Sequence, residues 1–127
     1  MGKPDAAGTL KSLMRPARGR MVLLDRDAAK YFEVRLSTLS ATVERRGDYF
    51  PPDFLVVFRG CEAAGLEKRY GVSRPRRLVR AFTDVGIESL ASSLRSERAI
   101  AHSIATIRQF FAYLDLVRPG RTNFILP

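Results

Sequence analysis

Hydrophobic periodicity changes twice along this chain, and each change falls at a turn signal. Two helical stripes come first, Ala28, Ala29 and Phe32, then Leu36, Leu39 and Val43. Pro51-Pro52 closes the second, since a proline ring cannot continue a helix and keeps its predecessor extended. The β-branched and aromatic run Asp53 to Phe58 follows and suits a buried strand by composition and length. Leu78 to Phe82 alternates apolar and basic residues and can pair with it. Helical spacing then returns and persists to Val117. At 127 residues the chain has material for a single core.

Read in more detail, Arg20 to Leu24 is a short strand, and Asp25 is placed to cap a helix from Arg26 to Phe32. A second helix spans Arg35 to Arg46. At 100° per residue, Leu36, Leu39 and Val43 face inward and leave Thr38, Ala41 and Arg45 outside, flanked by Ser37 and Thr42. A tight turn between two short helices, the second with a polar and basic outer face, describes a helix-turn-helix. Two packed helices with a solvated face is the plainer reading of the same pattern. Tyr31, Phe32, Tyr49 and Phe50 should close the pair against the first strand.

Residues 59–75 contain Gly60, Gly65, Gly71 and Pro75 and read as a long excursion. The two strands with this basic connection would make a wing-like hairpin. Thr83 is a good N-cap for a helix that buries Ile87, Leu90, Ala91 and Leu94. Ser96 caps the last helix. Its residues Ile100, Ile104, Ile107, Phe111 and Leu114 repeat at four and three and are expected to face the core, with Phe110 and Val117 widening the stripe. The tail NFILP is apolar enough to fold back on the body.

Charge is the second constraint. The chain carries +9, and between Lys68 and Arg80 six basic residues occur with no acidic one. Residues 1–20 add Lys3, Lys11, Arg15, Arg18 and Arg20 against Asp5 alone. A positive face of this kind points to a polyanionic partner. An Arg-rich surface loop is the plainer alternative.

Other classes find little support. Cys61 is the single cysteine, so no intrachain disulfide can form and a reducing compartment fits. It reads as a small filler or loop residue. No run approaches the roughly 20 apolar residues of a membrane span. The N-terminus lacks a signal-peptide core, and Ala6 stands where myristoylation wants Ser or Thr. The single histidine, His102, lies beside the isoleucine stripe and reads as a packing or half-exposed residue. No nucleophile, phosphate loop or metal-ligand spacing accompanies it, so an enzyme is not expected, and neither cofactor, metal nor small-molecule substrate is implied. Phe110, Phe111 and Tyr113 read as core residues, not as a base-stacking platform.

Four blocks of the chain, RGRMVLLDRDAAKYFEV, YFPPDF, AFTDVGIESLASSL and SERAIAHSIATIRQFF, resemble in order the phage ORF-six N-terminal domain, which is related to the KilA-N DNA-binding domain. The similarity runs from about Arg18 to Leu116. It implies an α+β fold and DNA-binding, transcription-regulatory use in a phage or prophage setting. Two positions depart from the family. Glu33 stands where a glycine is usual in the turn of the first helix pair, implying a slightly different turn. Arg45-Arg46-Gly47 replaces a basic, Asn-containing helix end. Many members carry a second domain after this one, so the chain is expected to be a stand-alone regulator or a fragment.

The resulting expectation is a small winged-helix-like α+β domain over residues 18–118. It has an N-terminal helix-turn-helix, a short antiparallel hairpin or sheet, and two C-terminal core helices. A flexible basic arm (1–17) precedes it and a tail (119–127) follows. The candidate contacts to double-stranded DNA are Arg35, Ser37, Thr38, Thr42, Arg45 and Arg46 from the second helix, with Lys68, Arg69, Arg74, Arg76, Arg77 and Arg80 as phosphate clamps. A homodimer is expected, because one small module reads few base pairs. The location should be cytoplasmic and nucleoid-associated. Inhibition of a host or phage protein by the same scaffold is the competing function.

Overall fold

Strand β2 (Arg20–Leu24) organises the molecule, because its alternating side chains serve two different cores. Val22 and Leu24 point to one side and Leu23 to the other. The computed structural model describes residues 6–117, with side chains from residue 10. The expected C-terminal tail and its NFILP segment lie outside the described residues.

Four strands form one antiparallel sheet in the order β1-β2-β4-β3, with β1 at Arg15–Ala17, β3 at Leu55–Arg59 and β4 at Leu78–Phe82. The β1–β2 turn places Arg18 and Gly19 at φ 49° and 77°, the left-handed geometry that a two-residue hairpin loop requires. β3 and β4 pair over their full length, Leu55 with Phe82 through Arg59 with Leu78.

One face of the sheet is covered by α2 (Asp25–Tyr31), α3 (Leu36–Arg45) and α5 (Asp84–Leu94). Leu23, Phe32, Leu39, Phe82, Ile87 and Leu90 fill that core. The other face is covered by α4 (Gly60–Arg69), whose Ala63 and Leu66 pack on Val22, Phe58, Val79 and Ala81. The remaining helices are α1 (Ala6–Leu13) and α6 (Glu97–Val117). The α+β class therefore holds, as a sheet between two helical layers.

Caps read from sequence are in place at two helices. Thr83 accepts a hydrogen bond from Gly86 N at 3.2 Å, and Ser96 accepts one from Ala99 N at 3.1 Å, each worth about 1 kcal/mol. Thr83 also donates to the Asp53 carbonyl, fixing α5 against the entry to β3.

Several expectations are corrected. The excursion at 59–75 is largely α4, so β3 and β4 are joined by a helix packed on the sheet and not by a protruding wing. Part of the segment expected as a mobile arm is ordered. Residues 15–17 are a sheet strand, held by Arg15 to Asp27 at 3.0 Å and by Tyr70 Oη donating to the Pro16 carbonyl at 2.8 Å, and α1 precedes it. Asp25 is not an N-cap but a buried residue inside α2. Tyr49 is exposed, while Phe50 does pack inward against Phe82. Glu33 adopts φ 58°, so the turn keeps the left-handed geometry without its glycine.

The largest departure concerns α6. Ala99 and His102 anchor its first turns, with His102 between the Tyr31 phenol (2.9 Å) and Glu88 (3.0 Å). Burial raises the pKa of Tyr31, so its phenol is protonated; with the Glu88 carboxylate accepting from Nε2–H, the Nδ1 of a neutral His102 accepts from the Tyr31 hydroxyl. Beyond that anchor, Ile104, Ile107, Phe110, Phe111 and Val117 are exposed. Among the described residues, the expected core stripe is a surface.

Candidate nucleic-acid interface

The basic run at 68–80 begins where α4 ends. Lys68 and Arg69 occupy its last turn, where cations suit the helix dipole. The chain then passes Gly71 at φ 91° and returns to the sheet, with Gly60 N donating to the Arg77 carbonyl at 2.9 Å. β3 and β4 stay in register as far as Arg59 opposite Leu78, so Arg59 and Arg77 lie at the same end of the sheet.

Two of the expected phosphate clamps are occupied otherwise. Arg76 inserts between Asp25 and Glu67, carboxylates with 0% and 1% exposure. Its Nη2 reaches Asp25 at 2.7 Å, its Nε reaches Glu67 at 2.9 Å, and its backbone N–H donates to Glu67 at 2.8 Å. Arg26 adds a further bond to Glu67 at 2.9 Å. Burial alone would raise the Glu67 pKa. The bonds from Arg76 and Arg26 outweigh it, so Glu67 lies below the usual carboxylate range. For Arg76, burial is outweighed in the same way by its two carboxylates, and its pKa is raised. Arg80 is the second loss. Its side chain pairs with Glu44 of α3 at 2.9 Å, and its N–H donates to Asp25 at 3.1 Å.

Asp25, Arg80, Glu44, Arg76, Glu67 and Arg26 thus form one chain of ionic hydrogen bonds that ties α3, β4, α2 and α4 together. A buried carboxylate without a partner is costly, so the sequence must bring cations to these acids. Arg76 is corrected from a phosphate clamp to a structural residue for this reason, and Arg80 because its largely covered side chain is taken by Glu44.

Thr42 is the third correction. It is buried, and its hydroxyl donates back to the Thr38 carbonyl at 2.9 Å. It stands at helical spacing from Leu39 and Val43, so α3's inward stripe is one residue wider than expected. Arg35, Ser37, Thr38 and Arg45 are exposed as expected, and so is Ala41. Arg46 lies over the Tyr49 ring, 4.2 Å from its centroid.

What remains is a set of cations free of acids. Among the described residues, Arg35, Arg45, Arg59, Lys68, Arg69, Arg74 and Arg77 are exposed and in no ion pair, as are Lys11, Arg20, Lys30, Arg95 and Arg108 elsewhere on the surface. Arg77 comes within 3.8 Å of Cys61 Sγ. Arg18, by contrast, is neutralised by a two-pronged bond to Glu62 at 2.6 and 2.9 Å. Arg59 escaped sequence reasoning, where it was the first residue of the excursion. Its register opposite Leu78 places it at the same end of the sheet as Arg77.

The two basic groups leave from different layers, α3 from one face of the sheet and the end of α4 from the other. The Asp25–Arg76–Arg80 corner is where those layers meet. Among the described residues no group of His, Cys, Asp and Glu side chains could hold a metal ion, and no helix is long and apolar enough to cross a membrane. None of the family models, curated proteins or solved structures compared with the chain matches it.

Proposed function

We propose that this protein binds double-stranded DNA as a phage- or prophage-type transcriptional regulator of the ORF-six N-terminal kind, working at the nucleoid. The observation that carries this reading is the sorting of its cations. Within the basic run Arg76 is taken by the buried acids Asp25 and Glu67 and Arg80 by Glu44, while Lys68, Arg69, Arg74 and Arg77, with Arg35, Arg45 and Arg59, stay in solvent without acid partners. Unpaired exposed arginines repel one another, so such a set is costly to keep unless a polyanion meets it. In the proposed mode the outer face of α3, with Thr38, Ala41 and Arg45, meets base edges. Lys68, Arg69, Arg74 and Arg77, with Arg59, hold flanking phosphates. Phosphate contacts supply most of the affinity and base contacts the discrimination. With α4 in place of a wing, the reading of bases falls to α3.

The test is a titration of labelled duplex at several salt concentrations with the parent and with a variant in which Lys68, Arg69, Arg74 and Arg77 are all alanine. Each lost phosphate contact removes roughly 0.9 from the log–log salt slope, so the variant's slope should fall by about 3 to 4 with its melting temperature unchanged. A parent that fails to bind duplex at low salt, or a variant with the parent's slope, would overturn the proposal.

A further inference from the structure

Among the described residues, helix α6 is anchored at one end only. Ser96, Ala99 and His102 seat it, Thr106 lies within reach of His102, and from Ile107 onward every residue but the half-buried Leu114 is exposed. Those last 11 residues (107–117) extend about 16 Å at 1.5 Å per residue. A projecting helical segment of that length is marginal in water, and it holds Ile, Phe and Tyr where solvent-facing helices favour Glu, Lys and Ala.

The spacing of its apolar residues says what should cover it. Ile100, Ile104, Ile107, Phe111 and Leu114 repeat as four, three, four, three, which is the heptad seam of paired helices. Four of the five are well exposed, at 51%, 45%, 55% and 43%. Phe110 and Val117 border the seam on one side, Arg108 and Asp115 on the other, and no charge lies in it. We infer that α6 pairs with α6 of a second copy of this chain to form a homodimer.

Area supports that occupant. Exposed halves of large side chains contribute roughly 100 Å² each, so the seam with Phe110 and Val117 offers on the order of 500 Å² per protomer. Two such faces bury about 1,000 Å², the lower limit for a specific interface, so the dimer should form in the micromolar range. A two-fold pair needs no complementary partner surface, because each protomer brings the same apolar seam. Residues 118–127 are the competing occupant, but a three-four repeat is the seam that a second helix of the same spacing fills, and their sequence, RPGRTNFILP, carries no such repeat. The inference does not depend on DNA binding.

Sedimentation equilibrium of the full chain from about 1 to 200 µM tests it, with a double variant Ile107→Glu plus Phe111→Glu and a control, Ala112→Glu, on the far side of α6. The parent and the control should approach twice the 14.2 kDa chain mass. The double variant should stay monomeric, its dissociation constant raised by at least about 100-fold. The parent's melting temperature should also rise with protein concentration, a readout that stands even if the double variant fails to fold. A parent monomeric throughout, or a dimer untouched by the double variant, would refute the pairing. A monomeric parent whose melting temperature falls sharply with Ile107→Glu plus Phe111→Glu would refute it in favour of cover by the chain's own tail.

Discussion

Arg76 and Glu67 are nine residues apart in sequence, and Arg76 bonds the buried Glu67 carboxylate through both its backbone N–H and its guanidinium. The same guanidinium reaches back 51 residues to Asp25. One side chain thus closes the segment between α4 and β4 and satisfies two acids from different elements.

Arg76→Ala should cost about 3–5 kcal/mol, the usual consequence of leaving a buried charge without its partner. Arg76→Lys should recover only part of that, since an ammonium cannot make the forked contacts to both carboxylates. Urea unfolding curves measure both. A midpoint for Arg76→Ala equal to the parent's would mean the network contributes nothing to stability.

The depressed pKa of Glu67 sets a pH dependence of known sign. A carboxyl that binds its proton less readily when folded stabilises the fold above its unfolded pKa of about 4.3, and this contribution disappears as pH falls through the lower folded value. The parent should exceed Glu67→Gln in stability at pH 7, and the two should converge as pH falls through the folded Glu67 pKa. Chemical denaturation across that range is the measurement. A constant gap between the two curves would show that Glu67 does not titrate with folding.

Two glycines should respond oppositely to alanine. A Cβ at Gly86 would overlap the Phe54 carbonyl, with the carbonyl carbon only 2.8 Å away, at the point where α5 crosses the entry to β3. Backbone cannot yield as a side-chain tip can, so Gly86→Ala should cost about 1–3 kcal/mol or more. Gly65, inside α4, meets nothing within 4 Å, and Gly65→Ala should stabilise by about 0.5–1 kcal/mol. Thermal melts that moved both variants the same way would contradict this account.

Glu33 holds φ 58° in the turn between α2 and α3. A residue with a Cβ loses about 1–2 kcal/mol there, while glycine loses somewhat less through its unfolded-state entropy. The 3.8 Å pair of Glu33 with Arg98 is largely exposed on the Glu33 side and offsets little. Glu33→Gly should raise the melting temperature by a few degrees, and a lower one would show that the Arg98 contact outweighs the strain.

Arg45→Ala should relax sequence preference more than it weakens binding to random duplex. Arg45 ends the exposed face of α3, and an arginine on guanine contributes about 1–3 kcal/mol of discrimination. Randomised-site selection with parent and variant reads this directly. An unchanged recovered motif would remove α3 from the role of reader and leave Arg45 on phosphate.

Local chemistry was legible in the linear chain. The caps at Thr83 and Ser96, the strands around Val22, Val57 and Val79, the turn after Tyr31 and the inward stripe of α3 all follow from a residue and its near neighbours. Helix α4 was not legible, because Gly60, Gly65 and Gly71 read as turn residues while its inward face is only Ala63 and Leu66. The fate of the cations depended on distance in space. Arg74, Arg76 and Arg77 stand almost side by side in an acid-free run, yet only Arg76 meets Asp25 and Glu67, because the end of β2 and the last turn of α4 converge there. The stripe on α6 carries the same lesson in apolar form. Its three-four period is fixed by the helix alone and is identical whether the covering surface is the chain's own core or another molecule. Periodicity records that a face must be buried, and only the packing of the other elements decides against what.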